Sequence, residues 1–161
     1  MNPSEAQITI IRATSLPDID AIRTLLRTYA ESRGHDAALG DFEWEMKELP
    51  GKYGPPLGCL LLAKQEGVAA ACVAFQPLEE GICEMKRMYV APEFRGKGIA
   101  RALCQALIEE AMAAGCTHMR LDTHPSMTAA QQLYQQLGFE EISRYNQNPT
   151  PGIRFFEKRL D

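Results

Sequence analysis

The chain predicts an α/β fold of the α+β kind: one mixed, mostly antiparallel sheet of about seven strands with helices on both faces. Three observations carry this. Two β-rich runs joined by Gln65-Glu66-Gly67 make a hairpin. Glu79-Glu80-Gly81 turns the chain into a further strand, and the second half alternates strand, helix and strand. With 161 residues and 45% hydrophobic content, the chain suits a single domain over residues 1–161 with an ordinary buried core.

Each element has its own signal. Gln7 to Ala13 alternates and is β-rich, a first strand. Ser15-Leu16-Pro17-Asp18 opens a helix on which Leu16, Ile19, Ile22, Leu25, Leu26 and Tyr29 form one face, ending before Gly34. Phe42 to Leu49 reads as a short helix, followed by loop marked by Pro50-Gly51 and Gly54-Pro55-Pro56. Cys59 to Lys64, Val68 to Pro77 and Ile82 to Val90 are strands. Ile99, Leu103, Leu107 and Ala111 form one row and Ala100, Cys104, Ile108 and Met112 the next, giving a helix of about four turns that Gly115 closes. His118 to Thr123 is a strand, Ser126 to Leu137 a helix stopped by Gly138, and Phe139 to Tyr145 a strand. After the proline-rich loop from Asn146 to Gly152, Ile153 to Arg159 is the last strand.

Composition removes several functions. Seventeen Lys+Arg against twenty-one Asp+Glu leave a net charge of −4, against the clustered positive charge that nucleic-acid binding needs. The longest apolar run, Val68 to Phe75, is far below the roughly 18 residues of a membrane span, and no leader pattern opens the chain. A cytoplasmic protein without membrane or nucleic-acid partners is expected. Cys59, Cys72, Cys83, Cys104 and Cys116 include no C-x-x-C pair and sit mostly in apolar stretches, as small core residues do. His35, His118 and His124 lack zinc-site spacing, so no metal is expected.

Chemistry concentrates in Arg95-Gly96-Lys97-Gly98-Ile99-Ala100, between a strand and a helix. Such a junction leaves backbone N–H groups free at the positive end of a helix dipole, which suits a pyrophosphate, and Arg95, Lys97 and Arg101 add positive charge. A Walker A loop needs Ser or Thr after Gly-Lys, where this chain has Gly98. A dinucleotide fingerprint needs a third glycine where it has Arg101. Arg/Gln-x-x-Gly-x-Gly/Ala is met by Arg95, Gly98 and Ala100.

From Cys83 to Ile142 the chain resembles the acetyl-CoA-binding core of the GCN5-related N-acetyltransferase (GNAT) superfamily. The matching pieces are Glu84-Met85-Lys86-Arg87-Met88-Tyr89-Val90, Ala91-Pro92-Glu93-Phe94-Arg95-Gly96-Lys97-Gly98, Leu121-Asp122-Thr123, and Ala130 through Leu133-Tyr134 to Gly138-Phe139. Where many members carry an Asn seven residues before the Tyr, this chain has Met127 flanked by Ser126 and Thr128, either of which could cap the helix.

The resemblance implies a sheet splayed at its centre and acetyl-CoA (or CoA) as co-substrate, without metal. It also implies an N-acetyltransferase moving the acetyl group to a primary amine of a small molecule or amino acid by direct attack in a ternary complex. A peptide-amine acetyltransferase and a non-catalytic acyl-CoA-binding module are the alternatives. The cofactor contacts it assigns are the backbone of Met88, Tyr89 and Val90 at a strand bulge, the loop Arg95, Gly96, Lys97, Gly98, Ile99, Ala100 and Arg101, then Ser126 and Tyr134. Tyr134 is the candidate acid that protonates the departing thiolate, against the reading of a core aromatic. Glu84, on the same strand face as Lys86, Met88 and Val90, is the candidate base, against a carboxylate paired with Lys86 or Arg87. Asp122, Tyr89 and His124 are weaker candidates, His124 reading rather as a loop cap because it stands one residue before Pro125. The acceptor is expected between the segment from Tyr29 to Tyr53, with Arg33, His35, Asp36, Phe42 and Trp44, and the loop from Tyr145 to Gly152. A homodimer through the last strands or first helices is a further expectation.

Overall fold

A computed structural model describes residues 7–33 and 41–161. Its strands are β1 (Ile8–Arg12), β2 (Cys59–Gln65), β3 (Val68–Glu79), β4 (Ile82–Val90), β5 (His118–Thr123), β6 (Glu140–Ile142) and β7 (Arg154–Arg159). The helices are α1 (Leu16–Arg33), α2 (Phe42–Glu48), α3 (Ile99–Ala113) and α4 (Thr128–Gln136). The sheet order is β1-β2-β3-β4-β5-β7-β6, antiparallel throughout except for the parallel pair β4–β5. Glu66 and Gly67 both have positive φ, the conformation a two-residue hairpin turn needs between β2 and β3.

The sheet separates two cores. On one face Val73, Phe75, Cys83, Met85 and Leu121 pack against Ile99, Leu103 and Leu107 of α3. On the other, Leu60, Leu62, Cys72 and Ala74 meet Ile22 and Leu26 of α1, Met46 of α2, and Tyr53. Each fully buried leucine contributes about 1.5–3 kcal/mol relative to exposure. The row Ile99, Leu103, Leu107 and Ala111 of α3 is buried, while in the next row Cys104 is buried, Ala100 and Ile108 are half-buried and Met112 is exposed. Four of the five cysteines are buried and all are free. Burial pushes the Cys59 thiol up to about 11 and those of Cys72 and Cys104 up to about 12, which removes them as nucleophiles near neutral pH.

Three local expectations change. The first concerns β4. Cys72 pairs with Tyr89 but Ala74 with Lys86, so Arg87 and Met88 together oppose Val73 in a β-bulge, and Arg87 has φ 60. One inserted residue reverses the alternation. Met88 and Val90 pack with the α3-side core, whereas Glu84 pairs with Gln76 and Lys86 with Ala74, on the opposite face. Glu84 and Lys86 therefore do not share a face with Met88 and Val90.

The second is α4, which begins at Thr128 instead of Ser126. His124 to Met127 form a turn closed by Met127 N–H donating to His124 O at 3.0 Å, and Met127 stands at the N-cap with no side-chain cap. Ser126 is spent on His124, its hydroxyl 2.7 Å from Nδ1 and its N–H donating to the same nitrogen at 3.1 Å.

The third is β6, which stops at Ile142 instead of reaching Tyr145. Its partner β7 begins at Arg154, one residue beyond the last pair Ile142–Phe155. Arg144 then turns to donate to the carbonyls of Asn146 and Asn148, and Tyr145 folds inward.

Candidate active site

The glycine loop presents backbone instead of side chains. Gly96 and Gly98 have φ 78 and 80, the left-handed region that glycine reaches without strain, and a Cβ at either would meet nothing within 4 Å. The left-handed Gly98 leads into α3, whose first-turn N–H groups have no intrahelical partners. Between this loop and α4 runs a hollow of about 320 Å³ walled by Val90, Arg95, Gly96, Gly98, Ala100 and Arg101 on one side and Ala129, Gln132 and Gln136 on the other. Arg101 donates to Gln136 across it. The open N–H groups, the positive helix end and the space above them fit a pyrophosphate.

Beside the loop the sheet opens. β4 and β5 pair only at Ile82–His118, Cys83–Met119 and Glu84–Arg120, after which β4 continues without them to Val90. Ala91 N–H donates to Ala70 O of β3, so by strand alternation Met88 and Val90 turn their N–H and C=O toward the opened edge. Arg95 Nε donates to Val90 O at 3.0 Å, and its guanidinium lies 5.9 Å from the Tyr89 ring. A groove of about 600 Å³ follows this edge past Met88, Tyr89, Val90, Ser126 and Tyr134. It is long enough in the fold to continue the hollow above the glycine loop, since Val90, Arg95 and Ala100 border both.

The opening is a cleft through the sheet. Met85, Met88, Leu121 and Tyr134 line it from the α3 side, and Lys86, Arg87, Asp122 and Asn148 from the other. Tyr134 also lines the groove, so it stands where the two spaces meet. It is only 6% exposed, its ring packs edge-on to Phe139 at 5.8 Å, and its hydroxyl hydrogen-bonds to no described residue. Burial, with Cys104, Tyr29 and Asp122 nearby, pushes its pKa well above the ordinary phenol value.

Glu84 lies behind the cleft wall, 3% exposed. It accepts from Tyr145 Oη at 2.6 Å, Gln76 Nε2 at 2.7 Å and Asn146 Nδ2 at 3.3 Å. Lys86 Nζ is 3.6 Å away, the pairing weighed as the alternative. Asn146 Nδ2 also donates to Asp122 Oδ2 at 2.7 Å, tying the two carboxylates together. Arg87, the other cation of the wall, is held bidentately by Glu45 of α2 at 2.7 and 3.0 Å. Burial alone would raise the Glu45 carboxyl, but hydrogen bonds and charge from Arg87, with Lys52 and Tyr53 adding, hold it below the usual carboxylate range.

The remaining candidates fall into place unevenly. Ile99 is buried in the core, so only its backbone N–H faces the loop region, and Lys97 reaches over the Phe94 ring at 5.7 Å instead of into the hollow. Of the proposed acceptor wall, Tyr29 lines the cleft. Phe42 and Tyr53 are core residues, and Trp44 is 66% exposed and outside the cleft. His35, Asp36 and the Arg33 side chain lie outside the described residues. Reading the sequence missed Gln131, buried, which donates to His124 O at 2.9 Å and accepts from Arg154 at 2.5 Å. It also missed Gln132 and Gln136; a polar row spaced by four on an otherwise apolar-faced helix was the available signal. Among the described residues no group of His, Cys, Asp or Glu is placed to hold a metal ion, and no helix is long and apolar enough to cross a membrane.

A mixed sheet whose one parallel strand pair parts after three rungs, beside a left-handed glycine loop, matches the GNAT fold. Comparison with known proteins agrees: the profile of the acetyltransferase (GNAT) family matches residues 19–139, and the chain belongs to that family. An uncharacterized N-acetyltransferase of Schizosaccharomyces pombe is 35% identical over 162 residues, covering 99% of this chain and 98% of its own. The N-acetylaspartate synthetase of Danio rerio is 35% identical over 111 residues, 68% of this chain, which spans only 39% of that protein. Among solved structures, yncA from Salmonella typhimurium, determined with its cofactor acetyl-CoA, superposes with a TM-score of 0.74 at 22% identity, covering 96% of this chain and 94% of its own.

Proposed function

We propose that the protein transfers an acetyl group from acetyl-CoA to the primary amine of a small molecule, by direct attack with both substrates bound. The observation that carries this is the Tyr134 hydroxyl, hydrogen-bonded to no described residue, at the junction of groove and cleft.

Acetyl-CoA supplies an acetyl thioester, whose C–S bond breaks as the amine nitrogen bonds to the carbonyl carbon. The N–H groups of Gly96 to Arg101 hold the pyrophosphate, and the backbone of Met88 with the N–H of Val90, whose carbonyl accepts from Arg95, pairs with the pantetheine amides. Backbone N–H groups near the bulge stabilise the developing oxyanion. Tyr134 gives its proton to the departing sulfur. Burial raises its pKa above the ordinary phenol value, so the hydroxyl holds at neutral pH the proton it donates. The amine loses its proton to water in the cleft, and water restores the phenol. With three donors on its oxygens, Glu84 is assigned to hold the Tyr145–Asn146 segment instead of taking that proton. A small acceptor is supported by the confined cleft and by the N-acetylaspartate synthetase relative.

The test is Tyr134→Phe. We expect thermal protection by CoA to persist while kcat falls on the order of 10²-fold. Because the phenol stays protonated, kcat of the unaltered protein should show no alkaline decline from this group below about pH 10. Unchanged kcat with a lowered melting temperature would return Tyr134 to a packing role.

A further inference from the structure

The face of the cleft away from α3 carries an unusual set of unfilled valences. Lys86 Nζ lies 3.8 Å from Asp122 Oδ2 and 3.6 Å from Glu84 Oε1, close enough for charge pairing and too far for hydrogen bonds, so its three N–H donors remain unspent on described residues. Asp122 receives Asn146 and Asn148, at 2.7 and 3.3 Å, both on Oδ2, and no described donor reaches Oδ1. Thr150 is 7% exposed and its Oγ1 is buried without a partner. Lys86, Asp122 and Thr150 all line the cleft. The other charged groups nearby are committed: Arg87 to Glu45, and Glu84 to Tyr145, Gln76 and Asn146.

We infer, building on the transferase reading above, that the acceptor is a free α-amino acid recognised by its head group. Its carboxylate meets the Lys86 ammonium and the Thr150 hydroxyl, and its ammonium docks against Asp122 before giving one proton to cleft water and attacking as the neutral amine. The match is one of adjacency. The protein sets a cation beside a carboxylate, and an α-amino acid sets a carboxylate beside a cation, so the two can dock in opposed order. Charge points the same way. Lys86 against Glu84 and Asp122 leaves one net negative charge, and Arg87 with Glu45 leaves none. A zwitterionic head adds nothing to that balance, whereas an acceptor with a lone anionic group and no ammonium would face an uncompensated carboxylate. A simple alkylamine would fill Asp122 and leave the Lys86 donors and Thr150 unpaired. Sites built to hydrogen-bond a group reject analogues lacking it far more strongly than apolar pockets discriminate by size. The Asn146 and Asn148 side chains, arriving from the loop before β7, fix Asp122 in place and are positioning residues.

The experiment is a transfer assay with acetyl-CoA and free L-amino acids, each beside its methyl ester and its decarboxylated amine, read by gain of one acetyl group and by kcat/KM. At least one free amino acid should be acetylated with kcat/KM ten- to a hundredfold above its ester and its amine. Lys86→Met should bring that ratio toward one. Thr150→Val, which keeps the shape and removes one hydroxyl, should reduce it several-fold through KM and serves where Lys86→Met perturbs folding. Esters or amines used as well as the free acids, a ratio insensitive to both variants, or CoA protection without acetylation of any free amino acid would each overturn the inference. Failure of CoA to protect the unaltered protein in a thermal shift would overturn the transferase reading beneath it, and with it this one.

Discussion

The groove along the glycine loop and the far side of the cleft are built from different materials. The groove is made of backbone: left-handed glycines, the open first turn of α3, and the edge of β4 past its last pair with β5. Two of the loop's larger side chains, Lys97 and Ile99, turn elsewhere. The far side of the cleft is made of side chains brought from β4, β5, α2 and the loop before β7, locked by ion pairs and amide bridges. A backbone site reads a constant feature of its ligand and is insensitive to most substitutions. A side-chain site reads chemistry and can be rewritten one residue at a time.

Substitutions should separate the two materials. The largest effect is expected from Gly98→Asp. A Cβ there finds open space, so the damage comes from the positive φ, costing about 1–2 kcal/mol, and from a carboxylate beside the phosphates. CoA affinity measured by calorimetry should fall at least about 10²-fold while the fold survives, and an unchanged affinity would break the backbone assignment. Next is Glu45→Ala, which strands the buried Arg87 charge and should lower stability by about 3 kcal/mol in denaturant unfolding. Its pH dependence has a definite sign. The Glu45 carboxyl is held low in the folded state, so its contribution is present above the unfolded carboxylate pKa and is lost as pH falls through the lowered folded value. The acid-side loss of stability should accordingly be shallower in the variant. The smallest effect is expected from Asn146→Ala, which removes the bridge between Glu84 and Asp122. Stability should drop by about 1 kcal/mol, with amine KM rising more than CoA affinity changes. Equal losses for both substrates would merge the two regions into one.

The same division governs how much the sequence discloses. Strands, α3 and the glycine loop are legible because their signals are local: alternation, rows spaced by four, and glycines where φ must be positive. The bulge in β4 is not. Arg87 adopts φ 60 without being glycine, and what holds it is Glu45, 42 residues earlier. Counting by twos along Glu84, Lys86, Met88 and Val90 therefore assigns one face where there are two. The carboxylate cluster escapes for the same reason, since Asn146 reaches Asp122 across 24 positions and Tyr145 reaches Glu84 across 61. Phe139 to Tyr145 keeps a strand-like composition although β7 offers no partner beyond its first rungs. Tyr134 is legible as an aromatic on a stripe, but that its hydroxyl hydrogen-bonds to no described residue is a property of what surrounds it.

The inserted residue at Arg87 acts as a phase shift within a strand. Losing a single codon there would rotate everything downstream by half a turn, sending Met88 and Val90 to the side of α1 and Tyr89 to that of α3. Both cores and the open edge would be miswired at once, and no point substitution nearby could restore the alternation. β4 is thus closed to changes in length more strictly than to changes of residue, and an alignment that runs through it without a gap has kept this register.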